Sequence, residues 1–163
     1  MLTMLTALTL SAAPSGLALL LVERGGNFEP QGNERFIVKA GGGVLYERGR
    51  GVSTKQGTTF ICERFTWTLT AAQLAAFDEV VAAARLPTLE PSYVDPDVHD
   101  GQQAGLVARV AGKVVASTFS NRFPPQYESL AVGLRRLVDE LPTGLKAQRC
   151  DTASWLFLRP PAA

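Results

Sequence analysis

The chain has 163 residues, of which 46% are hydrophobic and 19% charged, and its formal net charge is +1. That length is one domain's worth and can bury a core without metal or dense disulfides, and the composition argues against a disordered segment. The small net charge argues against a dedicated nucleic-acid surface, because phosphate neutralisation needs clustered Lys and Arg.

From the N-terminus, Met1 to Val22 carries no charged side chain. Length alone would let such a run span a membrane. Pro14-Ser15-Gly16 interrupts it, and the run divides in two. Met1–Leu10 resembles the apolar core of a signal peptide, with Ser11-Ala12-Ala13 as a small-residue cleavage site, although no Lys or Arg precedes it. Residues 1–13 are therefore expected to be an export segment and residues 14–163 a single domain. The protein is expected in the periplasm or outside the cell, not as an integral membrane protein. Cys62 and Cys150 fit one disulfide in an exported chain. The competing reading is two separate buried thiols.

Leu17–Val22 is a continuous apolar run, predicted to be a strand covered on both faces. Gly25-Gly26-Asn27, Pro30 and Gly32-Asn33 read as a loop. Glu34–Ala40 alternates, Gly41-Gly42-Gly43 turns the chain, and Val44–Arg48 returns as a hairpin partner. Gly49–Gly57 is polar and glycine-rich, predicted to be a mobile loop. Thr58–Thr68 is rich in β-branched and aromatic residues and predicts a strand. The dipeptides Glu23-Arg24, Glu34-Arg35, Glu47-Arg48 and Glu63-Arg64 read as solvated strand faces.

Thr70 with Gln73 three residues later predicts a capping box, and Leu69 with Leu74 a hydrophobic staple. Leu74, Phe77, Val81 and Ala84 follow at helical spacing until Leu86-Pro87 ends the helix. Thr88–Gln103 reads as a long loop. Gly105–Ala111 and Lys113–Ser120 predict a hairpin about Gly112. Pro124-Pro125 opens a second helix, with Tyr127, Leu130, Leu134, Leu137 and Leu141 on one stripe. The tail run Trp155-Leu156-Phe157-Leu158 could add an edge strand. Hairpins and two one-sided helices together predict an α+β fold, a two-layer α/β sandwich. Its sheet is largely antiparallel and both helices lie on one face.

The dense cluster Asp95-Pro96-Asp97-Val98-His99-Asp100-Gly101 holds the sole histidine. A cation site on Asp95, Asp97 and Asp100 is one reading. EF-hand spacing is absent, because the glycine falls one place late and Leu106 stands where a bidentate Glu is needed. A turn built by Asp, Pro and Asp-Gly is the better account, so no metal site is expected. A Cys62–His99 nucleophile pair is disfavoured because Cys62 lies in a strand. Gly41-Gly42-Gly43 and Gly49-Arg50-Gly51 match no phosphate-loop pattern. No cofactor is implied.

Two aromatic loops remain, Arg24–Pro30 and Ser120–Pro125. Arg and Phe on loops held by a scaffold are the residue types that anchor interfaces. Their structural alternatives are a staple for Phe123 and an edge flap for Phe28.

The layout from Leu17 to Leu141 resembles emfourin, a family of small protein inhibitors of thermolysin-like metalloproteases. The resemblance rests on Val22-Glu23-Arg24-Gly25-Gly26 after the first strand and on a helix running into Leu86-Pro87. The Gly112 hairpin and the proline-started helix complete it. This chain departs from that pattern in lacking a serine before Gly25, and in its extra hairpin at Gly41–Gly43 and its two cysteines. The resemblance implies a non-enzymatic protein-binding module, with protease inhibition its most concrete version; the expected export segment, itself a departure from the family, would make that partner a secreted protease. Contacts would come from Arg24, Gly25, Gly26, Asn27 and Phe28. The rival readings are an envelope ligand- or cation-binding protein using the Asp95–Asp100 loop, and an enzyme of unrecognised type.

Overall fold

The computed structural model describes residues 15–26, 32–98 and 101–151. The expected export segment, Asn27 and Phe28, the His99-Asp100 pair and the Trp155–Leu158 run lie outside them.

Alternating apolar residues lay down one sheet. Its strands are β1 (Leu17–Gly26), β2 (Glu34–Lys39), β3 (Gly43–Thr54), β4 (Gly57–Thr68), β5 (Ser92–Val94), β6 (Gln102–Val110), β7 (Lys113–Ser120) and β8 (Gln148–Cys150). In space they run β5-β7-β6-β1-β2-β3-β4-β8. Every neighbouring pair is antiparallel except β5–β7. Register places Leu20 and Val22 of β1 opposite Val38 and Phe36 of β2, and these opposite Val44 and Tyr46 of β3. This face is closed by α1 (Ala71–Ala84) through Phe77, Val81 and Ala84, and by α2 (Pro125–Asp139) through Tyr127, Leu130, Leu134 and Leu137. The expected α+β sandwich is therefore the fold, with its core between the helices and one side of the sheet.

Local signals set the helix ends. The Thr70 hydroxyl accepts from the Gln73 backbone N–H at 3.2 Å, and the Gln73 side chain accepts from the Thr70 N–H at 3.0 Å. Leu69 and Leu74 both join the core. Arg85, at φ 49°, ends α1 in the left-handed region, and a 3-10 turn over Leu86–Thr88 follows. Pro125 occupies the first position of α2, where its missing N–H is harmless. The helices approach closely at Gly133, where an added Cβ would stand 2.7 Å from a Val80 methyl. Ahead of β1, the backbone N–H of Ser15 donates to Asp78 of α1 at 3.2 Å, and the Ser15 hydroxyl donates to the other carboxylate oxygen. No described helix is long and apolar enough to cross a membrane.

Several expectations are corrected. β1 runs on to Gly26 and is covered fully on one side only. Leu20 and Val22 are buried, whereas Leu19 is 37% exposed. Both helices choose the same face, so the other face receives no helix. Gly49–Gly57 is not a loop. β3 and β4 pair through Val52↔Thr59 and Thr54↔Gly57, leaving only Lys55-Gln56 as the turn. Backbone pairing there needs no apolar side chains, so hydrophobic alternation could not reveal it. Within Thr88–Gln103 the chain forms β5, whose Tyr93 stacks on Phe119 with ring centroids 5.6 Å apart. The described edge strand at the C-terminus is Gln148–Cys150, paired to β4. The hairpin about Gly112 is as expected. Ala111 and Gly112 take φ of 48° and 76°, the two left-handed residues of a type I′ turn.

The expected disulfide is present. Cys62 and Cys150 are directly opposed in the β4–β8 register, with Cα atoms 5.0 Å apart and a sequence separation of 88. Closing so long a loop restricts the unfolded chain. Cys150→Ser should therefore lower unfolding free energy by about 2–4 kcal/mol in urea titrations. An unchanged midpoint would show that the bond contributes nothing to stability.

Candidate functional site

The four Glu-Arg dipeptides lie on four consecutive strands and meet one another. Glu23↔Arg35, Arg35↔Glu47 and Glu47↔Arg64 are cross-strand pairs, and so are Arg24↔Glu34, Glu34↔Arg48 and Arg48↔Glu63. Strand residues alternate between faces, so two rows form, one on each side of the sheet. Every Glu in them faces an Arg.

The row on the face away from the helices is Glu23–Arg35–Glu47–Arg64. Arg64 donates to one Glu47 oxygen from Nε at 2.7 Å and from Nη2 at 2.6 Å, and Arg35 stands 3.5 Å from the other. Arg35 also lies 3.4 Å from Glu23. Glu23 and Glu47 are fully buried, which corrects the reading of these dipeptides as solvated faces. Burial is tolerated because each carboxylate has a guanidinium directly opposite it. Removing one partner exposes the imbalance. Glu47→Gln should cost about 3–5 kcal/mol, whereas Glu63→Gln at the wetter end of the other row should cost about 1 kcal/mol or less. Paired denaturant titrations of the two variants check this.

On the helix side the second row runs Arg24–Glu34–Arg48–Glu63. Arg24 donates to Glu34 at 2.6 Å, and the Tyr46 hydroxyl donates to the other Glu34 oxygen at 2.6 Å. Arg24 covers the Phe36 ring at 5.6 Å, and Arg48 covers Phe65 at 5.3 Å. Arg48 and Arg50 share Glu63. Burial, then the Glu34 hydrogen bond, raises the Tyr46 phenol well above its ordinary range. Burial likewise pushes Tyr127 up from 10.0 to about 12, with Arg24 opposing and Glu34 adding.

These residues form the base of a loop-bearing end of the sheet. β1 ends with Gly26 opposite Gln102, the first residue of β6. The Asn121 backbone N–H, just past β7, donates to the Gln102 carbonyl, and its side chain donates to the Val98 carbonyl at 3.1 Å. The β1–β2 loop, the acidic loop and the Ser120–Pro125 loop, well separated in sequence, thus emerge side by side. Of the expected contact residues, Arg24 is engaged with Glu34 and Phe36, so it anchors the loop's base. Gly25 is needed for close approach. A Cβ there would fall on the Asn33 carboxamide and stand 3.1 Å from its Cα. Asn33 is buried, and its Oδ1 has no hydrogen-bond partner among the described residues. Gly26 ends the strand, and Asn27 and Phe28 belong to the part of the loop outside the described residues.

Phe123 takes its structural role, packed against the Phe119–Tyr127 pair, stacked on Phe119 at 6.1 Å and tilted against Tyr127 at 5.3 Å between ring centroids. In the acidic loop the Asp97 N–H donates to Asp95 Oδ1 at 3.1 Å, an Asx-type turn. Glu34, Tyr46 and Asn33 were not foreseen as site residues. Complementary Glu-Arg dipeptides on successive strands were the signal that could have found Glu34.

Potential ligand atoms of Glu47, Cys62 and Cys150 lie within 4.8 Å of one another, but the two sulfurs are bonded together and are not thiolate ligands. Between α1 and α2 lies a groove of about 230 Å³ lined by Ala72, Ala76, Val80 and Gly133. At its rim Gln73 donates to Glu140 at 3.2 Å. No family model and no curated protein matches the chain.

The raised tyrosines make an alkaline limit. A phenol whose folded value exceeds its unfolded one stabilises the fold fully below pH 10, and that stabilisation is lost as pH rises toward 12. For Tyr127 the difference amounts to about 2–3 kcal/mol. Tyr127→Phe should lose less stability than the parent between pH 10 and 12, as read by denaturant midpoints at each pH. Parallel pH profiles would show that Tyr127 does not control the limit.

Proposed function

We propose that the protein is an exported, non-enzymatic protein-binding module that engages a secreted protease with the loop-bearing end of its sheet. The observation that supports this reading is the convergence of three loops on one end of a disulfide-linked sheet. The base of the leading loop is held by Arg24, Glu34 and Tyr46. A loop with a rigid base loses little freedom on docking, which favours affinity. Occlusion of a protease cleft requires shape and backbone rigidity and no catalytic group. The disulfide is compatible with a periplasmic or extracellular location.

Arg24 belongs to the base, so Phe28 is the better probe of contact. The test is titration of a thermolysin-like metalloprotease with the oxidised chain, read as residual peptidase activity and as complex on size exclusion. Stoichiometric inhibition is expected. Phe28→Ala should weaken it by more than about 2 kcal/mol, the hot-spot threshold, with the thermal melt nearly unchanged. Full peptidase activity with no complex would reject the metalloprotease as partner. Equal inhibition by Phe28→Ala would move the contact away from this loop.

A further inference from the structure

Glu23 and Glu47 have no exposed surface, yet they project from the sheet face opposite both helices. On the same face Leu21, Ile37, Leu45 and Val107 are half-buried and take no part in the core. Neighbours within a sheet shield the sides of a side chain but not its tip. Complete burial of two carboxylates therefore calls for a cover lying across the face.

We propose that the C-terminal tail, residues 152–163, is that cover. It would lay Trp155-Leu156-Phe157-Leu158 over the Glu23–Arg35–Glu47–Arg64 row and its apolar flank. The starting point favours it. Cys62 lies two residues from Arg64 on the same face, so its bond to Cys150 brings the chain to the row one residue before Asp151. Reach is ample. An extended tail spans on the order of 40 Å, whereas β4 to β1 is about 15 Å at the usual strand spacing. Composition suits the role, because Arg159 is the only charged side chain in residues 152–163. The row beneath balances two carboxylates against two guanidiniums, so an apolar cover leaves no net charge stranded. The opposite terminus starts in the wrong layer, since Ser15 is bonded to Asp78 of α1.

Hydroxyl-radical footprinting of the oxidised full chain against a chain ending at Asp151 tests the assignment. Mass spectrometry reads Leu21, Ile37, Leu45 and Val107, with the exposed Val132 of α2 as reference. Several-fold faster modification of the four in the shortened chain is expected, with Val132 unchanged. If the shortened chain does not fold by circular dichroism, the full chain carrying Trp155→Ser and Phe157→Ser replaces it in the same comparison. Equal rates in folded monomers would overturn the proposal. So would protection that appears only at concentrations where the full chain dimerises, because a second copy would then be the cover.

Discussion

The register of β1 to β4 is held by electrostatic complementarity on both faces at once. Four Glu-Arg dipeptides on adjacent antiparallel strands give two rows in which each carboxylate faces a guanidinium. Apolar alternation distinguishes the two faces but tolerates sliding by two residues. The charges do not. A slip by one sets Arg24 against Arg35, and a slip by two separates every pair while leaving Glu23 and Glu47 buried. Like charges directly opposite, or buried charges without partners, are costly, so the correct pairing stands apart from its neighbours.

Much of the molecule follows from that register. It places Tyr46 beside Glu34, and it brings Arg48 and Arg50 together on Glu63. It also aligns Cys62 with Cys150, because β8 adds to the edge of β4. The helices respond to the other side of the sheet. α1 is apolar almost all round and α2 is amphipathic, yet both pack on the face carrying Leu20, Val22, Phe36 and Val38, and Gly133 lets them approach closely there. The result is a protein with one conventional core and, on its opposite face, a buried ionic row.

The loop-bearing end combines the two systems. Arg24 is at once a rung of the helix-side row and the last side chain before the Gly25-Gly26 pair. The loop is thereby fixed at its root by a charge pair and a ring contact, not by apolar packing alone. Asn33 occupies the space that any side chain at position 25 would need, which ties the two ends of the hairpin connection together.

Local chemistry was fully legible in the sequence wherever a few neighbouring residues decide the outcome. The Thr70–Gln73 cap, the proline start of α2 and the turn at Gly112 were all readable, as was the α+β class. The exceptions share a physical cause. Gly49–Gly57 reads as a loop by composition, yet a facing strand satisfies its backbone. β5 is too short to show a period and exists because Tyr93 finds Phe119. The Glu-Arg dipeptides look solvated one by one. Only alignment across four strands shows that Glu23 and Glu47 have partners and can be buried. Propensity and capping act over short range and were determined by the sequence alone. Register, burial of charge and the convergence of distant loops depend on which strands become neighbours, and only the tertiary structure decided that.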